Sequence, residues 1–387
     1  MKVLHLASFT GNIGDNANHS GFRRWFESLA GVRVSWTDLE IREYYWRERK
    51  FDESFLAMLA DYDLLVIGGG NYFELWVERS HTGTSIDIAP EIFAQIQIPV
   101  FFNALGCDAG QGTTETTLSR FRAFMNVLTR SDQFLVTVRN DGASAVIRKV
   151  LPASVADKVT TIPDGGFFLA YDPPAMPDGP APKLRVAMNL ACDMPEIRFA
   201  EFGGMAGGYE MFCDEFAGLI ESVAKQRADV HFIFFPHIHS DLRINSDLVA
   251  RLGDRLRRTR VSTAPYVTGA DGARHIYGMY SRCDLVLGMR FHANVCAFGT
   301  GVPSLGLYNY PQIKYLYDEI GEADRCFDVR QPGFSGALVA ATLDSLSTLD
   351  GLRARSARAL DGVRRQRQAF EPRFRQWLAT NSLGQVS

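Results

Sequence analysis

Short apolar stretches, many of which end in glycine, asparagine, aspartate or arginine, constrain the fold of this chain more than any other feature. They lie at 2–9, 63–70, 99–106, 134–140, 159–166, 183–190, 229–237, 260–266, 283–290 and 302–309. Because these stretches are apolar throughout rather than alternating, they predict strands of parallel sheets that are covered by helices on both faces. Helical patterns between the early strands, at 16–30 and 116–128, favour a doubly wound α/β arrangement.

A proline-rich segment separates the two groups of predicted strands. Residues 171–183 contain five prolines and predict a linker or a domain crossing. We therefore predict an N-terminal Rossmann-like domain over 1–175 and a C-terminal Rossmann-like domain over 183–350, facing each other across a cleft. The last segment, 351–387, is rich in arginine and helical in pattern with a break near Pro372, and it could pack back on the N-terminal domain.

Composition and charge exclude several classes of protein. The 387 residues are 46% hydrophobic and 22% charged with a net charge of −3, so no basic field favours a nucleic-acid partner. The six cysteines form no CxxC pair and are predicted to be reduced thiols. No stretch is apolar over the roughly 18 residues that span a bilayer, and the apolar N-terminus is too short for a signal peptide, which predicts a cytoplasmic protein.

A glycine loop, TGNIGDNAN at 10–18, follows the first predicted strand. Gly11 and Gly14 would permit a close approach of the backbone, so that the N–H groups at the start of the next helix could bind an anion. The alternative is an ordinary strand–helix turn in which the side chain of Asn12 or Asp15 caps the helix. No Gly-Lys-Ser/Thr follows, so the loop is not a P-loop.

Two further strand ends carry candidate binding residues. In IGGGNYFE at 67–74, Gly69 and Gly70 would let a substrate lie against bare backbone beside Asn71, or they serve close packing of the turn. Arg139 ends a later strand, where its guanidinium suits bidentate binding of a carboxylate or phosphate, with a salt bridge as the alternative.

The segment FFPHIHSD superficially resembles a set of metal ligands, because it contains His237, His239 and Asp241 at alternate positions. Pro236 and the polar residues that follow predict a loop, however, and no cysteine or third histidine completes a ligand set. We therefore predict a polar loop here and no metal site.

Arg290 and His292 follow an apolar strand and directly precede a predicted helix at 293–303. A guanidinium and an imidazole beside a helix N-terminus create a positive potential that an anion would neutralise. The alternative is one surface arginine and one capping histidine. The position at the end of a buried strand favours an anion-binding site.

The order of these motifs resembles that of the polysaccharide pyruvyl transferase family over roughly residues 3–320. The matching segments are Gly11-Asn12-Ile13-Gly14-Asp15, Gly68-Gly69-Gly70, Arg139-Asn140-Asp141, 284–293 (DLVLGMRFHA), Gly301-Val302-Pro303 and 310–314 (YPQIK). Phe291 stands where the family usually has leucine, and Asn16 stands where an acidic residue often follows the G-D pair.

The resemblance implies a two-domain fold similar to that of B-type glycosyltransferases. It also implies phosphoenolpyruvate as the donor substrate, with no further cofactor, and an enzyme that installs a pyruvate ketal across two hydroxyls of one sugar in cell-surface polysaccharide biosynthesis. By the same resemblance, Arg139, Arg290 and His292 are the donor-site residues.

The chemistry of this donor suggests roles for the remaining candidates. Phosphoenolpyruvate carries a phosphate and a carboxylate, which Arg139, Arg290 and Lys314 could clamp. His292 is the best candidate for a general acid or base because imidazole titrates near neutral pH, and Asp15 could act as a base toward a sugar hydroxyl. The other predicted substrate-binding residues are Gly11, Asn12, Gly14, Gly69, Gly70 and Asn71.

The predicted acceptor is a sugar that could be lipid- or nucleotide-linked. Eight arginines at 353–375 either form an ordinary solvated helix face or hold the enzyme against anionic lipid at the inner face of a membrane. The alternative functions are a nucleotide-sugar-dependent glycosyltransferase of the same architecture and a non-catalytic relative that binds anions or sugars. No oligomeric state is predicted.

Overall fold

The computed structural model describes residues 1–172, 176, 184–202 and 207–384. The predicted linker at 171–183 therefore lies almost wholly outside the described residues. Packing divides the chain into two units. Unit 1 lies within Met1–Thr10, Asn18–Gly165 and Arg364–Ser387, and unit 2 lies within Gly11–Ala17 and Gly166–Val363. The boundaries expected from the sequence differ from this division, because they assign the glycine loop at 11–17 to the N-terminal domain.

Unit 1 is built on a parallel sheet flanked by helices. Its strands are β1 (Lys2–Ala7), β2 (Ser35–Glu40), β3 (Leu64–Gly68), β4 (Phe73–Glu74), β5 (Val100–Leu105), β6 (Cys107–Asp108), β7 (Phe134–Val138) and β8 (Thr160–Thr161). The helices in this part of the chain are α1 (Ile13–Ala30), α2 (Ile41–Tyr45), α3 (Glu53–Leu59), α4 (Pro90–Phe93), α5 (Glu115–Leu128), α6 (Ala143–Val150) and α7 (Ala153–Ala156). Residues 13–17 of α1 belong to unit 2.

Unit 2 repeats this architecture with a second parallel sheet. Its strands are β9 (Leu184–Asn189), β10 (Val230–Phe234), β11 (Val261–Thr263), β12 (Leu285–Gly288), β13 (Ser304–Tyr308) and β14 (Cys326–Asp328). The helices are α8 (Pro195–Arg198), α9 (Gly208–Gln226), α10 (Asp241–Arg251), α11 (Asp254–Thr259), α12 (Gly269–Tyr280), α13 (Phe291–Thr300), α14 (Pro311–Glu319), α15 (Ser335–Ser347) and α16 (Leu349–Thr380). Residues of α16 from Arg364 onward belong to unit 1.

The strand order of each sheet locates the place where a ligand is expected. The order is β2-β1-β3-β5-β7-β8 in unit 1 and β11-β10-β9-β12-β13-β14 in unit 2, and β4 pairs separately with β6. The chain reverses its direction of travel across the sheet between β1 and β3, and again between β9 and β12. In open α/β sheets, ligands bind beyond the carboxyl ends of the strands at such a switch point.

The long helix α16 is continuous through Pro372, so the expected break near this proline is wrong. Phe370, Phe374 and Trp377 lie on either side of the proline and are buried in the core of unit 1. The ring of Phe374, for example, lies 4.8 Å from the ring of Trp25. This apolar burial offsets the hydrogen bond that proline cannot make and keeps the helix intact.

Part of the arginine charge of α16 is used in contacts within each unit. Arg353 donates to Asp284 at 2.8 Å, and Arg355 donates to Asp324 at 2.7 Å. Arg373 donates to a backbone carbonyl at 2.9 Å. The arginines of this helix are therefore not a uniformly free cationic face.

The predicted α/β class with two Rossmann-like, parallel-sheet domains is confirmed. Each of the ten predicted strands is present, although only Thr160–Thr161 is a strand within 159–166. In the part of the chain that the structure describes, no helix is both long and apolar enough to cross a bilayer.

Candidate active site

In unit 2, the glycine loop and the R-x-H segment meet at the N-termini of two helices. Helix α1 begins at Ile13 and helix α13 begins at Phe291. A Cβ atom on Gly14 would lie 2.5 Å from Nδ1 of His292, so only glycine allows this approach. The two helix dipoles therefore add positive potential at the same place, where a negative group is stabilised.

Asp15 supplies one such negative group. Its Oδ1 lies 4.0 Å from Nδ1 of His292, and both side chains are largely buried. The side chain of Asn12 accepts a hydrogen bond from the Gly14 N–H at 2.9 Å, so Asn12 is the residue that caps α1. Of the two capping candidates, the structure thus assigns the cap to Asn12 and leaves the Asp15 carboxylate beside the imidazole.

Arg290 lies between two carboxylates. Its Nε and Nη2 donate to the two oxygens of Asp241 at 2.8 and 2.5 Å, and Nη2 also donates to Asp193 at 2.7 Å. Burial lowers the pKa of Arg290, but Asp241 and then Asp193 outweigh this effect and raise that pKa above its ordinary value. The guanidinium is therefore charged, buried and balanced by the protein itself.

Asp241, the more firmly held of the two carboxylates on Arg290, ends the segment FFPHIHSD, for which a polar loop was predicted. Asp241 is fully buried and also accepts the backbone N–H of His237 at 2.9 Å and of Ile238 at 3.2 Å. His237 is itself buried, and its Nε2 lies 2.9 Å from the Tyr280 hydroxyl. Burial, with Arg290 and His292 nearby, lowers the pKa of His237 well below its usual range, so this imidazole is neutral. The segment thus positions Arg290.

Asp193 joins Arg290 to a second arginine. Arg198 donates from Nε to Asp193 Oδ1 at 3.2 Å and from Nη2 to Oδ2 at 3.3 Å. Burial raises the pKa of Asp193, but Arg290 and Arg198 outweigh it and lower that pKa to about 2. Asp193 follows β9 and Arg290 follows β12, so these residues flank the switch point of the unit 2 sheet.

Lys314 lies on α14 of unit 2 and is mostly exposed. Its ammonium pairs with Asp318 at 2.5 Å, one turn further along the same helix. The described contacts of Lys314 therefore do not join it to Arg290 or His292.

In unit 1, Arg139 is buried and engaged with carboxylates. Its Nε donates to Asp141 at 2.6 Å, and its Nη1 lies 3.7 Å from Asp164. Burial raises the pKa of Asp141, and Arg139 opposes that rise. Asp164 also accepts from the amide of Asn18 at 2.5 Å. The salt bridge that was the alternative for Arg139 is therefore present.

Four asparagines of unit 1 share one feature, and we call them the amide cluster: Asn18, Asn71, Asn103 and Asn140. Each has one buried side-chain atom that no described residue satisfies, namely Oδ1 of Asn18 and Asn71 and Nδ2 of Asn103 and Asn140. Asn71 lies next to Arg139, because a Cβ on Gly106 would meet both Oδ1 of Asn71 and Nη2 of Arg139. Buried amide atoms without partners are costly unless a ligand or water fills them.

The glycine triplet of unit 1 is explained by close packing. Gly69 has a φ of +92°, and a Cβ there would lie 2.6 Å from the ring of His19. A Cβ on Gly70 would meet the ring of Tyr72. Of the two interpretations of this triplet, the packing contacts account for the glycines without a ligand.

The predicted site residues thus belong to two different units. Gly11, Asn12, Gly14, Asp15, Arg290, His292 and Lys314 belong to unit 2, whereas Gly69, Gly70, Asn71 and Arg139 belong to unit 1. Among the residues that the structure describes, no group of three or more His, Cys, Asp or Glu side chains could hold a metal ion.

Sequence reasoning missed Asp193 and Arg198. Both follow strand β9 in a stretch whose charges have no special spacing, and their importance depends on the neighbouring strand β12. The available signal is that Asp193 follows a buried strand within four residues, as Arg139 and Arg290 follow theirs. Asn18, Asn103 and Asn140 were likewise overlooked because an unsatisfied amide is visible only in three dimensions.

Two solved structures show what the fold is similar to. Anabaena HepE in complex with UDP and glucose matches with a TM-score of 0.51 and 14% identity, over 98% of this chain and 99% of that one. The N-terminal domain of trehalose-6-phosphate phosphatase from Candida albicans matches with a TM-score of 0.56 and 11% identity, over 98% and 99%. At this identity the likeness concerns the fold alone, and the expected similarity to B-type glycosyltransferases is confirmed at that level. No curated protein sequence matches the chain.

The chain also matches a sequence family over most of its length. Residues 12–310 match the family described as polysaccharide pyruvyl transferase, from the glycine loop to the end of the segment that follows β13. This match includes Asp15, Arg139, Arg290 and His292. The chain therefore belongs to the polysaccharide pyruvyl transferase family.

Proposed function

We propose that this protein transfers the enolpyruvyl group of phosphoenolpyruvate to two hydroxyls of a sugar and so forms a pyruvate ketal. The observation that carries the proposal, beyond membership of the family, is the pairing of Asp15 with His292 at two helix N-termini. An imidazole beside a carboxylate, in a region of positive backbone potential, suits proton transfer on a phosphorylated substrate.

The reaction requires protons to be moved in both directions. The vinyl carbon of the donor gains a proton, and one sugar hydroxyl adds to the neighbouring carbon and loses its proton. The C–O bond to phosphate then breaks, inorganic phosphate leaves, and a second hydroxyl adds to the same carbon with loss of its proton. One of the two released protons balances the one gained, and the other leaves with phosphate.

His292 and Asp15 are suited to these proton transfers. In its protonated form the imidazole is an acid for the vinyl carbon or the leaving phosphate, and in its neutral form it is a base for a hydroxyl. The Asp15 carboxylate lies 4.0 Å from Nδ1 of the imidazole, where it can act as a second proton acceptor. The N–H groups at the start of α13 would bind a phosphate oxygen without any metal, as helix N-termini do.

The amide cluster of unit 1 supports a sugar as the acceptor. Sugar hydroxyls both donate and accept hydrogen bonds, and the cluster offers unsatisfied acceptors on Asn18 and Asn71 and unsatisfied donors on Asn103 and Asn140. We propose that the acceptor is lipid- or nucleotide-linked and that the reaction takes place in the cytoplasm, with peripheral membrane contact where the acceptor is lipid-linked. No cofactor is proposed beyond the donor itself.

A nucleotide-sugar-dependent glycosyltransferase is the second candidate, because the fold is similar to that of HepE bound to UDP and glucose. Such an enzyme usually presents a free acidic residue after the last motif to hold a ribose. Asp318 is the nearest acidic residue here, and its carboxylate is engaged by Lys314. The family match, rather than this surface ion pair, favours pyruvyl transfer.

The test is turnover with defined substrates. The protein is incubated with phosphoenolpyruvate and a panel of nucleotide-linked and lipid-linked sugars, while phosphate release and the mass of the sugar product are measured. His292→Gln should lower kcat by roughly 100-fold or more. His275→Gln, an exposed histidine of α12 in the same unit, is the matched control and should retain full activity.

Three results would contradict the proposal. Transfer of sugar from a nucleotide sugar without phosphoenolpyruvate would assign the chain to the glycosyltransferases. Donor binding without turnover across the whole panel would favour a non-catalytic relative. Donor binding that is unchanged by both Arg290→Ala and His292→Ala in calorimetry would refute the assignment of the donor site.

A further inference from the structure

The carboxylate of Asp193 occupies an anion site made by two buried arginines. It accepts from Nη2 of Arg290 at 2.7 Å and from Nε and Nη2 of Arg198 at 3.2 and 3.3 Å. The side chains of Arg198 and Arg290 are only 7% and 12% exposed. Two guanidiniums that converge on one carboxylate reproduce the planar, bidentate recognition that proteins use for carboxylate ligands.

The two carboxylates on Arg290 differ in how firmly they are held. Asp241 is fully buried, and besides Arg290 it accepts two backbone N–H groups from its own loop. The Asp193 side chain is 26% exposed, and all the side-chain hydrogen bonds described for it come from Arg198 and Arg290. Asp193 follows β9 and is succeeded by Met194, which has a left-handed φ of +51° just before the short helix α8. The carboxylate of Asp193 is therefore the one that a ligand can displace from Arg290.

The charge that remains when Asp193 leaves identifies the ligand. Arg198, Arg290 and Asp241 together carry one net positive charge, which a single carboxylate neutralises. Burial lowers the pKa of Arg198, and Asp193 counteracts that effect, so a replacement anion must keep this guanidinium charged. A phosphate dianion would leave one negative charge in excess, and buried unpaired charge is costly.

A neighbouring amide supplies an unused donor. Asn309, which follows β13, is buried, and its Oδ1 accepts from Nη1 of Arg198 at 3.1 Å. This bond fixes the orientation of the amide, because an arginine can only donate. The Nδ2 atom of Asn309 then has no acceptor among the described residues. A ligand oxygen beside Arg198 would satisfy it.

We propose that the pocket formed by Arg198, Arg290 and Asn309 is the carboxylate subsite for the substrate, and that the side chain of Asp193 holds this place and is displaced when a carboxylate binds. The inference rests on the proposed function in one respect: the natural ligand is the carboxylate of the pyruvyl donor. The phosphate of that donor binds elsewhere, beside His292 and the N-terminus of α13. Asp193 thus sets the affinity for the donor.

The test compares three anions that share parts of the donor. Binding of phosphoenolpyruvate, pyruvate and inorganic phosphate is measured by calorimetry on the full chain. In Asp193→Asn, the competing charge is removed, so phosphoenolpyruvate and pyruvate should bind about tenfold more tightly while phosphate binding is unchanged. Asp172→Asn, which removes an exposed carboxylate paired with Arg274 in the same unit, is the matched control and should change none of the three.

A second variant protects the test against loss of folding. Arg198→Lys keeps the charge but loses the planar fork, so carboxylate binding should weaken about tenfold and phosphate binding should not. Thermal unfolding of each variant shows whether it is folded at the temperature of the titration.

The outcomes separate this inference from the proposed function. If pyruvate binds more tightly to Asp193→Asn but phosphoenolpyruvate is not turned over by either protein, the subsite stands and the proposed reaction fails. If the wild-type protein turns over phosphoenolpyruvate but Asp193→Asn binds both carboxylates as the wild type does, the reaction stands and the subsite is overturned. If phosphate binding tightens as much as carboxylate binding, the effect is general electrostatics and the subsite is likewise overturned.

Discussion

Replacement of Gly14 by alanine tests the geometry on which the active-site assignment depends. The new Cβ would lie 2.5–2.6 Å from Nδ1, Cβ and Cγ of His292. Unstrained contacts between carbon atoms are about 3.5–4.0 Å, so the ring or the helix must move by roughly 1 Å. His292 is 6% exposed, and its neighbours leave the ring little room to retreat.

Two opposing effects determine how much Gly14→Ala changes the free energy of unfolding. Alanine is a better helix former than glycine by up to about 1 kcal/mol, whereas overpacking a filled site costs about 1–3 kcal/mol. We therefore expect a net loss of about 1–2 kcal/mol in the free energy of unfolding. A displacement of about 1 Å at a catalytic group lowers the rate by roughly 100-fold, and this loss of kcat should exceed anything that the stability change explains.

A matched control exists in the same unit. Gly218 lies within α9, and a Cβ there would have no atom within 4 Å. Gly218→Ala should therefore raise the free energy of unfolding by up to about 1 kcal/mol and leave kcat unchanged. Urea unfolding and phosphate release from phosphoenolpyruvate measure both quantities. If Gly14→Ala is as stable and as active as Gly218→Ala, the contact between the glycine loop and His292 does not exist in solution.

Three further predictions concern other parts of the molecule. Burial raises the pKa of Glu74 from 4.5 to about 7, so the folded state holds a proton that the unfolded state releases. As the pH rises from 4.5 to 7, the free energy of unfolding of the wild type should therefore fall by up to about 3 kcal/mol relative to that of Glu74→Gln. Urea unfolding that shows the same pH dependence for both proteins would contradict this prediction. Trp377→Ala removes a ring that stacks on Phe374 and donates to a backbone carbonyl, which should cost about 3–5 kcal/mol in thermal or urea unfolding, while kcat at low temperature stays unchanged. Asn71→Ala should raise the KM for the sugar acceptor and leave the Kd of phosphoenolpyruvate unchanged. If only the Kd of phosphoenolpyruvate changes, the assignment of Asn71 to the acceptor site is wrong.

The fold was largely predictable because the central strands are buried on both faces. In β3 and β5, for example, every residue is buried, which produces the continuous apolar runs seen in the sequence. Strand β2 escaped prediction because it is an edge strand that pairs only with β1, and only one residue of its sequence SWTDLE is buried. Such a strand is specified by its neighbour rather than by its own pattern.

The candidate site was predictable in its residue types but not in its charge balance. A guanidinium at a strand end indicates that an anion lies close by, yet the sequence does not say whether the anion is a ligand or a side chain. For Arg290 the answer is Asp241 and Asp193, and for Arg139 it is Asp141 and Asp164. Asp241 was interpreted as part of a polar loop, but its partner Arg290 lies 49 residues away and follows another strand, β12.

The glycine loop was recognised as a motif, but its expected place in the N-terminal domain differs from the observed division, in which residues 11–17 belong to unit 2. Asp15 and Gly14 meet His292 across some 277 positions of the chain, and nothing in the local sequence encodes so distant a contact. The sequence does supply the residue that the contact requires. Position 14 must be glycine because a Cβ atom there would lie 2.5 Å from the ring of His292. Within unit 2, the glycine and the carboxylate of this loop therefore lie beside the imidazole of the R-x-H segment. That physical requirement, rather than the spacing of the motifs, is why G-N-x-G-D and R-x-H belong to one site.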